Sequence, residues 1–173
     1  MAHIKQIFKT KLVIGIMYSD KEAYEEAIKQ LEQKFGEISD KSQEYDFNFT
    51  TYYEEETGKD LKKQIIVFKK LIDRDELAEI KHYTNTIEDE FSKEGKRKIN
   101  LDPGYMTEHN VILASAKELP HKVSIGKGMF GDVVLEYRKG DYEDSRHTFP
   151  DYRTPLVKEF LKTIRKKYLQ ERK

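Results

Sequence analysis

Lys96-Arg97-Lys98-Ile99-Asn100-Leu101-Asp102-Pro103-Gly104-Tyr105 begins as a strand and meets a proline and a glycine. How that meeting is read decides the fold. Pro103 and Gly104 occupy the second and third positions of the tetrapeptide Asp102–Tyr105. That order predicts a type II turn, in which proline pre-sets φ and glycine supplies a positive φ. A short strand, Ile99–Leu101, then ends at a stiff turn that holds Asn100, Asp102 and Tyr105 together. Loops on a rigid scaffold are where sites are commonly built.

Strand and helix signals alternate outward from this segment. Lys11–Tyr18 (KLVIGIMY) is a short apolar run rich in β-branched residues, as in a buried strand. Ser19 and Glu22 have capping-box spacing, and Ala23, Ala27, Leu31 and Phe35 recur every fourth residue before Gly36, which predicts a first helix. Ile38–Phe49 reads as a strand running into a loop, and polar Thr50–Asp60 as one long loop. Leu61–Ile72 predicts another strand. Asp73 and Glu76 repeat the capping spacing, and Leu77, Ile80, Thr84, Ile87 and Phe91 trace a helix face that ends near Gly95. Val111–Ser115 predicts a short strand, and Val123–Ile125 with Val133–Tyr137 a hairpin. Thr154-Pro155 starts a last helix with the apolar face Val157, Phe160, Leu161, Ile164 and Tyr168. The order strand–helix–strand–strand–helix–strand predicts an α+β fold. Its expected form is a ferredoxin-like (split βαβ) core with an extra C-terminal β-hairpin and helix, in a single domain over residues 1–173. A three-layer α/β fold is the alternative.

Composition narrows the function classes. The chain has 32 basic and 32 acidic residues and a pI near 7.0. Nucleic acid is therefore not favoured as a partner on bulk charge. With no cysteine, disulfides, thiolate metal sites and cysteine nucleophiles are excluded. No apolar run approaches about 20 residues and no secretory core opens the chain, so it reads as cytoplasmic with no membrane partner. The five histidines lack H-x-x-x-H spacing, and no zinc site is predicted. A magnesium ion on the Asp102 carboxylate is compatible with the sequence, because such sites need only one or two protein carboxylates.

Several motifs carry chemistry. Gly126-x-Gly128-x-x-Gly131-x-Val133 has the spacing of a kinase glycine-rich loop, but no lysine strand, His-Arg-Asp or Asp-Phe-Gly follows. The P-loop pattern is absent too, so the expectation is a hairpin turn with no nucleotide role. Tyr52-Tyr53 offers flat faces and hydroxyls for stacking. Lys81, Asn85 and Glu88 share one helix face. The two charges read as solvated, while the amide beside the apolar stripe needs partners. Lys117 and His121, near a strand end, can bind an anion or exchange protons. Asp151 stands near the last helix and can interact with its start, or join Asp102 if the C-terminal segment folds back.

The chain resembles the prokaryotic domain of unknown function family numbered 4416. The resemblance rests on Gly15-Ile16-Met17-Tyr18-Ser19, Tyr52-Tyr53, Thr84-Asn85-x-Ile87-Glu88, Asn100-Leu101-Asp102-Pro103-Gly104-Tyr105, Ala114-Ser115-Ala116-Lys117 and Phe149-Pro150-Asp151-Tyr152. The chain departs from the family pattern at Gly131-Asp132 and at His147-Thr148-Phe149. The resemblance implies a prokaryotic source and a shared site, with no activity attached.

The residues point to a small-molecule enzyme or ligand-binding protein whose cofactor is undefined. Asp102, as base or magnesium ligand, Lys117 and His121 are the catalytic candidates. Tyr52, Tyr53, Asn85, Glu88, Asn100, Tyr105 and Asp151 are the ligand-binding candidates, and Lys117 would hold an anionic, phosphorylated or nucleotide-like group. The other class is a non-catalytic module that presents Tyr52, Tyr53 and the Gly-rich hairpin to protein or RNA. A concave polar cluster favours the first reading, and a flat aromatic surface the second.

Overall fold

The first strand, β1 (Thr10–Tyr18), is buried at every position. A strand buried on both faces needs cover from two sides. The computed structural model, which describes residue 3 and residues 7–172, provides it. After β1 come α1 (Lys21–Phe35), β2 (Ile38–Lys41), β3 (Tyr45–Asp46), a single-turn α2 (Glu54–Thr57), β4 (Lys62–Ile72) and α3 (Leu77–Glu90). The chain continues through β5 (Ser92–Lys93), β6 (Lys96–Arg97), β7 (Ile99–Met106), β8 (Asn110–Ser115), β9 (Val123–Gly126), β10 (Met129–Arg138), β11 (Asp141–Asp144) and α4 (Pro155–Glu171). Leu12, Ile14 and Ile16 of β1 face α1 and α3, where Tyr24, Leu31, Ile80 and Ile87 meet them. Val13, with Ile65 and Val67 of β4, faces the other way, onto Val157, Leu161 and Ile164 of α4.

The main sheet runs in the order β11-β10-β8-β7-β1-β4-β2, with β3 also on β4 and β9 also on β10. Every pairing is antiparallel. The fold is therefore α+β. Helices cover both faces of this antiparallel sheet. Among the described residues, no helix is long and apolar enough to cross a membrane.

Local signals mostly act as read, with several differences. The α1 N-cap is Asp20, not Ser19; its carboxylate accepts from the Glu22 and Ala23 N–H groups at 3.0 and 3.1 Å. The Thr50–Asp60 loop contains α2, and an unforeseen β11 follows a turn in which Lys139 and Gly140 both have positive φ. At Asp73 the expected box is present, with the Glu76 carboxylate accepting from the Asp73 N–H at 2.7 Å. The Gly126-Lys127-Gly128 segment is a hairpin tip, with φ of 90°, 52° and 73°. The tip folds back onto α3, where His82 Nε2 lies 2.8 Å from the Lys127 carbonyl.

The largest correction concerns Asp102–Tyr105. No turn forms there. β7 runs straight through, paired with β1 from Ile99↔Tyr18 to Met106↔Lys11. Gly104 is not among the glycines with positive φ. Its lack of a side chain serves close approach instead. A Cβ at Gly104 would overlap the Ile112 carbonyl oxygen and stand 2.5 Å from Leu113 Cδ2 on β8. Gly104→Ala should then destabilise the fold by about 1–3 kcal/mol through overpacking. Urea unfolding checks this, and an unchanged midpoint would contradict the close approach.

Candidate functional site

The site begins where two neighbouring strands part. β7 and β8 pair only at Gly104↔Leu113, Tyr105↔Ile112 and Met106↔Val111. Beyond that, β7 stays on β1 while β8 stays on β10 as far as Ser115↔Phe130. Antiparallel alternation accounts for the break. The Leu101 backbone bonds away from β1, so Pro103 and Tyr105, at even spacing, face the β8 side as well. Pro103 has no N–H to give, and the ladder stops at it. Leu101 is left with a buried donor and acceptor and no strand partner.

Helix α3 fills that role. The Leu101 N–H donates to Glu88 Oε1 at 2.6 Å, and Lys81 Nζ donates to the Leu101 carbonyl at 2.8 Å. Lys81 Nζ and Glu88 Oε1 are 3.8 Å apart, and Arg97 bridges Glu88 Oε2 at 2.6 Å and Glu56 Oε1 at 2.7 Å. Lys81 and Glu88 are 7% and 3% exposed, which overturns the reading of a solvated face. They lie in phase with Leu77 and Thr84 on the buried stripe. Burial pushes the Glu88 carboxyl up, against the pull of Lys81, the Leu101 N–H and Arg97. Both its oxygens are engaged, so Glu88 is a wall of the site and not a free ligand-binding group.

The gap between the strands is a cleft of about 430 Å³. Asn85, Asp102 and Lys117, from a helix, a strand and a loop, all line it. Tyr53, Asn100, Ser115, Lys122 and Asp132 join them. Lys117 Nζ donates to the Tyr52 hydroxyl at 3.2 Å and lies 5.2 Å from that ring's centroid, which sets Tyr52 at the rim. Lys122 Nζ donates to Ser115 Oγ at 2.9 Å. Burial disfavours the Tyr53 phenolate, and the Asp102 charge adds to this.

Behind Asp102 stands a lysine that sequence reading missed. Lys63 Nζ is 2.8 Å from Asp151 Oδ2 and 3.8 Å from Asp102 Oδ2, and the Tyr45 hydroxyl donates to Asp151 Oδ2 at 2.8 Å. Burial pulls the Lys63 pKa down, but Asp151 and Asp102 outweigh it and hold it well above the ordinary value. Gly15 makes room, since a Cβ there would lie 3.2 Å from Lys63 Cε. Asp151 thus joins Asp102 through Lys63. Its side chain makes no hydrogen bond to the start of α4, where Thr154 is the cap and accepts from the Val157 N–H at 3.4 Å.

A family model described as a domain of unknown function (DUF4416) matches residues 8–168. The chain belongs to this family. No curated protein and no solved structure matches it. Most of the stretches that carry the DUF4416 resemblance lie at the cleft or at Lys63. Tyr53, Asn85, Glu88, Asn100, Asp102 and Ser115 line the first, and Asp151 contacts the second.

Two expected site residues stand elsewhere. Tyr105 packs against the α1–α3 core, because in a strand its odd separation from Asp102 sends it to the opposite face. His121 is not in the lining; its ring stacks on His147 at 3.8 Å, and its Nε2 is 3.5 Å from Asp132 Oδ2. Magnesium on Asp102 meets the Lys63 ammonium, whose like charge opposes a second cation there. Among the described residues, no group of three or more His, Asp or Glu is placed to hold a metal ion. Lys63 did leave a signal, since it stands in period-two phase with Leu61, Ile65 and Val67.

Lys81→Met would leave the buried Leu101 carbonyl without its donor and take one of two cations from Glu88, which keeps Arg97. The expected cost is about 1–3 kcal/mol, the range for a buried polar group left unsatisfied. Adding Glu88→Leu should cost less than the two single changes summed. Urea unfolding of the double-mutant cycle measures both. A single variant within about 0.5 kcal/mol of wild type, the level of a surface change, would contradict the assignment.

Proposed function

We propose that this chain binds a small anionic molecule, phosphorylated or nucleotide-like, in the cleft between β7 and β8. One observation carries the reading. The Lys117 ammonium is held by a neutral phenol, and among the described residues no carboxylate lies within 4.0 Å of it. Of the acids in the inner cleft, Glu88 is paired with Arg97 and Lys81 and Asp102 with Lys63, while Asp132 has the His121 ring at 3.5 Å. Asp89 stands exposed at the rim. Lys117 is exposed, so its ion pair with a bound anion is worth about 0.2–1 kcal/mol, and the surrounding polar groups would supply the rest of the affinity. The Asn85 and Asn100 amides and the Ser115 hydroxyl would orient the rest of the ligand. The concave arrangement favours this reading over a flat aromatic module. Tyr52 is tied to Lys117, and Tyr53 packs on Phe47.

The same proposal extends to fold and setting. We take β1, α1, β2, β4, α3 and β7 as a ferredoxin-like split βαβ core. The first of its four strands lies between the third and the fourth, with the second outside, which supports that reading. A prokaryotic cytoplasm as its setting rests on the resemblance alone.

A thermal-shift series with pyrophosphate, AMP and ribose 5-phosphate tests the binding. A ligand at a hundredfold excess over its Kd stabilises by about 2.7 kcal/mol, or roughly 5–10 °C at this size. Lys117→Met should abolish the shift and leave the unligated Tm near wild type, because this side chain is exposed. No shift with any probe, or a shift retained in Lys117→Met, would refute the proposal.

A further inference from the structure

Ser115 ends β8 after that strand has left β7, and it lines the cleft with no β7 residue opposite it. The chain then turns back, with the Lys122 N–H donating to the Leu119 carbonyl at 2.9 Å. This brings Lys122 Nζ to 2.9 Å from Ser115 Oγ, while the Lys117 N–H donates to the same oxygen at 3.0 Å. A serine hydroxyl has one proton and two lone pairs. With Lys122 charged, both lone pairs face donors. With Lys122 neutral, the same separation lets the hydroxyl donate to Nζ, and the Lys117 N–H is in place to stabilise negative charge building on Oγ. This is the geometry of a nucleophile beside its base.

We propose that Ser115 and Lys122 form a serine nucleophile and lysine base, acting on a small ester whose acid part carries an anionic group. The proposal rests on the anion-binding reading of the cleft, with Lys117 holding the anionic end. Neutral Lys122 takes the Oγ proton as the Oγ–C bond forms at the ester carbonyl. It returns that proton to the departing alkoxide as the C–O bond breaks, which releases an alcohol. Water then attacks the acyl-serine, its proton passing through Lys122 back to Oγ, and the acid leaves. Lys122 sits where its charge is disfavoured. Burial lowers its pKa, with Lys117 after β8 and Lys81 on α3 adding to the effect, against Asp132 on β10 and Asp102 on β7. His121 is its chain neighbour.

Fluorophosphonate labelling of the full chain tests the pair, since Oγ–P forms, P–F breaks, fluoride leaves and the proton goes to Lys122. A single adduct on Ser115 is expected by peptide mass spectrometry. Its rate should rise with pH at a midpoint below the ordinary lysine value of 10.5. Ser115→Ala should show no adduct. Lys122→Met should label about a hundredfold more slowly, the scale of a lost general base. Lys122→Arg keeps the charge and the hydrogen bond but cannot act as a base, so it should be as slow, with an unchanged Tm as the check on folding. An unlabelled Ser115, or wild-type rates in folded Lys122→Arg, would overturn the proposal. If pyrophosphate, AMP or ribose 5-phosphate still raises Tm in that case, the nucleophile pair alone falls. If none does, the anion site falls with it.

Discussion

The peptide groups of Leu101 set the arrangement of this protein. They lie inside the fold, on the edge of β7 where β8 has turned away. A buried amide and carbonyl without partners would each cost about 1–3 kcal/mol. Glu88 and Lys81 remove that cost with one acceptor and one donor, aimed as a neighbouring strand would aim them. A helix thus completes a sheet. The strands can part because their separation leaves no orphaned backbone at Leu101.

The cleft and its polarity follow. Once β8 diverges, the space is closed by side chains instead of a hydrogen-bonded ladder, and those side chains are charged. Buried charges are tolerated only when paired and hydrogen-bonded. On the inner side Lys81, Glu88 and Arg97 form one paired network and Lys63, Asp151 and, at 3.8 Å, Asp102 another, while among the described residues one buried oxygen each of Asp151 and Asp132 has no hydrogen-bond partner. Asp102 belongs to both settings, with its carboxylate on Lys63 and its side chain 27% exposed in the cleft lining. Lys117 and Lys122 lie outside both networks, bonded to hydroxyls.

Elements whose signals are local were legible in the sequence. Apolar periodicity placed α1, α3 and α4, and β-branched runs placed β1 and β4. The grouping of Asn85, Asp102 and Lys117 was legible too, because each stood at an element end or beside an apolar stripe. Pro103-Gly104 was misread because its cause is tertiary. Proline ends the ladder to β8, and glycine admits the Ile112 carbonyl. A turn and a close strand crossing ask for the same two residues. Lys63 escaped notice, and Lys81 and Glu88 read as a solvated face, because charge suggests solvent, although their phase within β4 and α3 put them inside. Ser115 and Lys122 became a pair only when the chain between them was seen to turn back.

Amide hydrogen exchange at Leu101 tests the central claim most directly. Its N–H has no strand partner, so any protection must come from the Glu88 carboxylate. In the wild-type protein it should exchange as slowly as the β1-bonded amides of β7. In Glu88→Ala it should become fast, while the amide of Tyr105, still paired with β8, remains slow. A Leu101 amide that exchanges freely in wild type, or stays protected without Glu88, would contradict the account.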